Sequence, residues 1–495
     1  MADELKEEDD VPAAAAGMKS PKALPTGERL ERLWSYHCDL TVGRNVSCMV
    51  WNKVNQDLLA VSYGQFEFTD QRDGLILFWS MKNPEYPECV LRTPAGVTTL
   101  DFSEAHPNLL AAGLYNGSVA IYDVRKAMAG ETDGKPALAS ASLSGHTDAV
   151  WQVKWVDKGG DRGERLVTIS TDGRVAEWSM KKGLTCNDLM VLKRVRNPLA
   201  APEEKGDGVI SRVAAGLCID FPSSDTNTYF AGTEDGVINK CSVSYSEQYL
   251  DSVTAHAAPV NRVRCSPYVP EVCLSCSADW TVKLWDHNLP SAVMSFDLGN
   301  AVGDVAWAPY SSTVFAAVTS NGKVHAFDLN ENKHEQLCEQ KVVKRAKLTH
   351  VVFNRRDPIV LVGDDRGGVN SLKLSPNLRK VTPIPIPEKK KGEPEPVPAT
   401  RADIECAKMD KLLASADTKP PAEGAGAAGG AAVGDFLGEV LHRYRAQRQF
   451  RRNKRAWQAT LTREARVQSA LLEYGEKVAG KAHFVEEEGA AGGAG

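Results

Sequence analysis

One pattern recurs seven times along this chain. A tight-turn pair, Asx-Gly in most copies, is followed by alternating β-forming residues that run toward an aromatic or aliphatic end. The copies are DGLILFW (73–79), NGSVAIYD (116–123), DGRVAEW (172–178), DGVINKC (235–241), DWTVKLWD (279–286), NGKVHAFD (321–328) and RGGVNSL (366–372). Asx-Gly supplies the positive φ that a tight hairpin needs, and alternation gives a strand with one buried face. A second series interleaves with the first, a small or aliphatic residue followed five places later by a larger one. Its members are Val46/Trp51, Val97/Phe102, Val150/Trp155, Gly216/Phe221, Val260/Cys265, Val302/Trp307 and Leu348/Phe353. Apolar runs such as LLAVSYG and VCLSCSA lie between the two, so each unit reads as three strands with room for a fourth.

Short strands in fours, repeating about every 40–45 residues, are the mark of a β-propeller of the WD type. One blade cannot bury both faces of its sheet, so blades stack around an axis and each covers its neighbour. The fold expected is all-β: a seven-bladed WD-repeat β-propeller with flexible N- and C-terminal tails and a C-terminal basic helix. The divisions are an acidic tail at 1–28, a lead-in at 29–40 and the wheel at 41–380. A Pro/Lys- and Gly/Ala-rich linker follows at 381–434, then a basic amphipathic helix at 435–480 and a tail at 481–495. Within the linker, 404–416 reads as a short helix with Ile404, Met409, Leu412 and Leu413 as its apolar side.

Two blades carry the repeat's signature side chains as complete sets: His146, Ser170, Asp172 and Trp178 in the third, His256, Ser277, Asp279 and Trp285 in the fifth. In this repeat class such a set forms a buried hydrogen-bond chain that pins the hairpins of one blade. A half-satisfied buried network costs stability, which is why the members come together. These histidines and aspartates therefore read as structural.

No catalytic constellation stands out, and the chain reads as a non-enzyme without cofactor, metal or small-molecule substrate. CLSC, Cys273 to Cys276, has a zinc-knuckle spacing, but no second pair completes it and residues three apart on a strand face opposite ways. The Gly-rich stretch at 423–434 lacks the Gly-Lys-Ser/Thr of a phosphate-binding loop. Eleven cysteines, an odd number scattered over 495 residues, fit reduced thiols in a cytosolic chain. No apolar run is long enough to span a bilayer, and the acidic start is not a signal peptide.

The net charge of −5 is unevenly placed. Residues 1–10 hold six acids and one lysine, whereas 435–481 hold eleven Arg or Lys against five acids. Within 435–478, Leu437, Leu441 and Tyr444, then Trp457 and Leu461, recur at helical spacing. Such a helix is marginal alone and is expected to dock on a partner, with Leu441, Tyr444, Trp457 and Leu461 as candidate contacts. An acidic protein surface, a microtubule wall, RNA and calmodulin all suit its composition.

SCSADWTVKLWDH, then 301–330 (AVGDVAWAPYSSTVFAAVTSNGKVHAFDLN) and 349–380, resemble the C-terminal half of axonemal dynein intermediate chains, most of all those of the outer dynein arm. LLAVSYGQFEF, WSMKNPEYPE and HTDAVWQVKW fit the same group, and LERLWSYHCD (30–39) matches its lead-in to the propeller. The likeness covers about 340 to 370 residues. It implies a non-catalytic scaffold that binds the dynein heavy-chain tail and a second WD-repeat intermediate chain, with light chains bound ahead of the propeller. It also implies a place on the doublet microtubule of a cilium or flagellum after preassembly in the cytoplasm. Trp34 and Tyr36, in the lead-in, are candidate partner contacts on that resemblance. About 40 residues precede the first blade where the family has a long N-terminal region, so either the sequence is a truncated form or light-chain binding is reduced. The basic helix is not a family feature and takes no function from it.

Two rival readings stand beside this one. YDVRK (122–126) approaches the motif of WD-repeat substrate receptors of cullin-type ubiquitin ligases, with Tyr for Trp. The basic helix, with Tyr444, Phe450 and Trp457, is compatible with a nucleic-acid-associated propeller.

Overall fold

The computed structural model describes residues 29–65, 73–130, 134–140, 145–159, 163–181, 183–194, 213–380 and 400–416. The tails at 1–28 and 481–495 and the basic helix with Leu441, Tyr444, Trp457 and Leu461 lie outside the described residues.

The interleaved series of the sequence become seven four-stranded antiparallel sheets. In each blade the second series forms the inner strand, from Asn45–Trp51 in blade one to Leu348–Phe353 in blade seven. The Asx-Gly hairpins join second strand to third, and DWTVKLWD contributes the third strand of blade five, Thr281–Asp286. Six blades take their strands in chain order. The seventh does not. Its outer strand is Leu30–Tyr36, paired antiparallel to Val369–Leu374 with Leu30 opposite Leu374 and Tyr36 opposite Val369. Residues expected as a lead-in to the wheel are thus part of it, and the two ends of the repeat array are hydrogen-bonded to each other.

The core lies in the seams between blades. Cys48, Ala60 and Phe78 of blade one pack against Leu100, Phe102 and Tyr122 of blade two. At the closing seam Tyr36, fully buried, meets Trp79 with ring centroids 5.2 Å apart and packs with Leu361 and Val369. Tyr36 is therefore mortar between blades seven and one and presents no surface to a partner. Trp34 is half-buried beside it.

Among the described residues, two α-helices accompany the strands. The first, α1 (Val124–Met128), follows the third strand of blade two and is capped by Asp123, whose carboxylate accepts from the Arg125 N–H at 3.1 Å. YDVRK thus runs from a buried Tyr122 into a helical turn. The second, α2 (Arg401–Ala416), opens on a capping box in which the Thr400 N–H donates to the Asp403 carboxylate at 3.0 Å and Thr400 Oγ1 accepts from the Asp403 N–H at 3.3 Å. Met409, Leu412 and Leu413 are buried against Val269, Trp307, Phe315 and Leu329 of blades five and six, with Ile404 half-buried.

The contact the sequence hides is Glu405, 1% exposed. Its carboxylate accepts from the Ser312 N–H at 2.8 Å and the Ser312 hydroxyl at 3.0 Å, and Lys408 donates to Ser311 Oγ at 2.8 Å. Glu405→Ala should strip buried donors of their acceptor, weakening α2 docking by about 2 kcal/mol. Faster hydrogen exchange confined to 401–416 is the expected readout.

Candidate functional site

The signature sets of blades three and five come together, with one substitution in the cast. In blade three Trp178 Nε1 donates to Thr168 Oγ1 at 2.8 Å, Thr168 Oγ1 meets His146 Nε2 at 2.7 Å, and His146 Nδ1 meets Asp172 at 3.0 Å. Blade five repeats this as Trp285 to Ser275 at 2.8 Å, Ser275 to His256 at 2.7 Å and His256 to Asp279 at 2.9 Å. The relay hydroxyls are Thr168 and Ser275, where the sequence pattern points to Ser170 and Ser277. Those two serines instead tie the hairpin to the loop before the blade. Each accepts from its aspartate's N–H and donates to a carbonyl of that loop, Asp148 or Ala258.

The register explains the misplacement. Trp178 pairs with Leu166 and Trp285 with Cys273, so the indole N–H reaches diagonally to the residue two places on, Thr168 or Ser275. Burial draws the His256 imidazole below its ordinary range against the pull of Asp279. A neutral ring fits the chain: Nδ1–H donates to Asp279 and Nε2 accepts from Ser275. Thr168→Val should cost about 2–3 kcal/mol, because Trp178 and His146 both lose a partner, whereas Ser170→Ala should cost about 1. Urea unfolding of the two variants checks the order.

The inner strands share a second device. In six the register slips after the first paired residue, and in blade one after the second. Each strand therefore carries a bulged residue at the slip: Ser47, Thr98, Trp151, Leu217, Asn261, Gly303 and Thr349. An inner strand has no strand partner on its axial edge, so its N–H and C=O groups need side chains. Four bulge residues donate to the carbonyl just before the slip in the next blade's inner strand. Ser47 reaches Val97 O at 2.5 Å, Thr98 reaches Val150 O, Asn261 reaches Val302 O at 2.6 Å and Thr349 reaches Val46 O at 2.7 Å.

The other three seams are tied by side chains that accept from backbone N–H groups. Gln152 accepts from Ile219 at 3.0 Å, Asp220 from Cys265 at 2.6 Å and Asp304 from Val351 at 3.2 Å. Every seam thus has at least one such bond. Gly303 is small for a reason, since a Cβ there would sit 2.7 Å from Leu348 O.

The most charged of these links is also the most buried. Asp304, 0% exposed, lies 2.7 Å from His350 Nδ1, 3.8 Å from Arg262 and 4.0 Å from Arg264. Arg262 also reaches His350 Nε2 at 2.9 Å and Gln152 at 3.2 Å, so one cluster ties blades three, five, six and seven across the axis. Burial alone would push the Asp304 carboxyl up. His350 and the Arg264 and Arg262 guanidiniums outweigh it and hold it well below the usual carboxylate range.

At the end where the inner strands begin, the bulge residues ring a cavity of about 420 Å³. Its wall is apolar at Trp151 and Leu217 and polar at Asn45, Ser47, Asn261 and Thr349. Among the described residues no group of three or more His, Cys, Asp or Glu is arranged to hold a metal, and Cys273 and Cys276 are buried on their strand.

Residues 35–149 match the family model of the dynein axonemal intermediate chain 3 WD40 domain, and 247–286 that of the WD domain, G-beta repeat. The ciliary dynein intermediate chain 2 of Heliocidaris crassispina is 46% identical over 387 residues, 77% of this chain and 53% of that protein. The propeller belongs to the axonemal dynein intermediate chain family. Dynein axonemal intermediate chain 1 of Bos taurus is 45% identical over 387 residues, again 77% of this chain and 53% of that one. The 78 kDa intermediate chain of the flagellar outer arm of Chlamydomonas reinhardtii is 42% identical over 387 residues, with 77% and 54% covered. This intermediate-chain sequence therefore spans about half the length of the curated relatives it matches. Among solved structures, the β-propeller domain of Myceliophteria thermophila Cps50 (Swd1) superposes with a TM-score of 0.54 at 12% identity, covering 70% of this chain and all of that one. That likeness concerns the fold alone.

Proposed function

We propose that this chain is a non-catalytic scaffold subunit of the outer-arm dynein of cilia and flagella. In this reading the wheel binds the dynein heavy-chain tail and a second WD-repeat intermediate chain, and so helps to assemble and dock the arm on the doublet microtubule. Light chains are further partners, and preassembly takes place in the cytoplasm.

The observation that carries the reading is the 42–46% identity to ciliary and flagellar intermediate chains over 77% of the chain, one of them named for the flagellar outer arm. The inner ring supports a structural role from a different direction. Its Asp, His, Arg and hydroxyl groups are engaged in holding blades together, and a group so engaged is poorly placed to do proton chemistry.

Affinity purification of the tagged full chain from flagellated cells tests the proposal. Dynein heavy chains and a second WD-repeat chain should be retained. Ubiquitin-ligase adaptors or RNA in their place would remove it.

A further inference from the structure

Among the described residues, two non-glycine residues have positive φ: Trp280 at +73° and Arg345 at +57°. Both are exposed, and both stand on the face of the wheel where the axial cavity opens. The topology places them there. Trp280 is in the hairpin that follows the second strand of blade five, whose last residue Ser277 pairs with Val260, the first residue of the inner strand. Arg345 is in the loop that leads into the inner strand of blade seven.

Trp280 occupies a position that five other blades give to glycine: Gly117, Gly173, Gly236, Gly322 and Gly367, with φ between +74° and +90°. In those blades a Cβ would lie within 2.4 Å of a neighbouring atom. Blade five accommodates one and keeps the equivalent backbone bond, Leu298 N–H to Trp280 O at 2.9 Å. A bulky side chain in this backbone region is an outlier that costs folding free energy, and such outliers gather at functional sites. The indole is 54% exposed, so packing does not repay that cost.

Around the same opening lie Lys344, Arg345, Lys347 and Arg366, all exposed; Arg366 donates to the Arg345 carbonyl at 2.5 Å and acts on the Asp364 carboxylate. The cavity wall includes Arg262 and Lys347 and no Asp or Glu. The nearby carboxylates have partners of their own: Asp279 on His256 at 2.9 Å, Asp364 on the Gly368 N–H at 2.7 Å and beside Arg366, Asp297 on the Gly299 N–H at 2.9 Å and Asp365 on the Lys347 N–H at 3.1 Å.

We propose that this face, from Trp280 across the cavity mouth to Lys344–Lys347, docks an acidic segment of a partner protein that bears a large apolar side chain. The cations supply the charge complementarity, and Trp280 is the apolar anchor. Exposed aromatic and cationic groups around a concave centre are the composition of interface hot spots. The inference deepens the scaffold reading and rests on it for the assembly to be tested.

The experiment is photo-crosslinking in the native assembly. A photo-reactive side chain replaces Ser320, which lines the mouth. The tagged full chain is purified from flagellated cells and irradiated, and the crosslinked segment is sequenced. The result expected is a partner segment with net negative charge and at least one large apolar residue. Its yield should fall at least tenfold with Trp280→Gly, and likewise with Lys344→Glu/Lys347→Glu.

Glycine is the residue other blades use here, so Trp280→Gly should keep or raise the Tm, and a folding defect cannot mimic the loss. A neutral or basic segment, a segment of this chain itself such as its acidic residues 1–10, no crosslink, or a yield within twofold after Trp280→Gly overturns the proposal. If heavy chain is still retained in that sample, the scaffold reading stands and this inference alone falls.

Discussion

Asp304→Asn should destabilise the wheel by about 3–5 kcal/mol, among the largest losses a single side chain here can produce. The carboxylate is fully buried, accepts from the Val351 N–H across the seam of blades six and seven, and lies beside Arg262, Arg264 and His350. Removing its charge leaves two guanidiniums close to an amide that cannot neutralise them, and a buried charge without its partner is costly. Surface ion pairs such as Arg356–Asp57 should be nearly silent by comparison, because solvent screens them. Urea titration of the full chain, followed by tryptophan fluorescence, should show the midpoint fall sharply with Asp304→Asn and hardly move with Asp57→Asn.

The same residue makes a pH prediction. The Asp304 carboxyl lies lower in the folded chain than in the unfolded one, where an aspartate titrates near 3.9. At pH values between the two the unfolded state binds the extra proton, so stability rises with pH there. The contribution is complete above roughly pH 4–5 and fades as pH falls through the folded value. The gap in stability between wild type and Asp304→Asn should therefore be widest between roughly pH 5 and 6, narrowing in acid as Asp304 takes up its proton and narrowing again at higher pH as His350, held protonated beside Asp304, releases its own. A gap that widened below pH 4 would contradict the assignment.

The wheel is legible in the sequence because two independent series, the hairpins and the inner strands, keep step seven times. What escapes is whatever depends on register or on the meeting of distant segments. The choice between Ser170 and Thr168 turns on a diagonal contact that only strand pairing reveals. The bulge ring escapes for the same reason, since Ser47, Trp151, Leu217 and Gly303 share a place in the register but no chemistry. Glu405 reads as part of the wet side of its helix, because the Ser312 N–H that claims it lies 93 positions earlier in the chain. Outer strands are the hardest to find. They are largely exposed and several are short, as in Leu138–Ala139 and Cys338–Lys341, so no alternation marks them. Leu30–Tyr36 has the same weakness, which is why Tyr36 resembles a partner contact until its strand is paired.

Removal of residues 1–37 is the second large perturbation, and its result should be a failure to close. Blade seven would keep three strands and lose Leu30 and Tyr36, 5% and 0% exposed, from its seams. Burial of side chains of this size is worth about 1.5–3 kcal/mol each, and the backbone pairing with Val369–Leu374 is lost with them. The sum approaches the roughly 5–15 kcal/mol that holds a typical domain together. The outer edge of Val369–Leu374 would also be uncovered, and a bare edge strand invites association with other chains. A chain beginning at residue 38 should accordingly elute as aggregate, or as monomer with a Tm lowered by many degrees. A peptide of residues 29–40 added in trans should recover part of the loss, because the groove between blades seven and one is otherwise intact. Recovery should fail with Tyr36→Ala in the peptide, since Tyr36 is the side chain that packs on Trp79. A truncated chain that stayed monomeric with its Tm unchanged would show that the strand decorates the wheel instead of closing it.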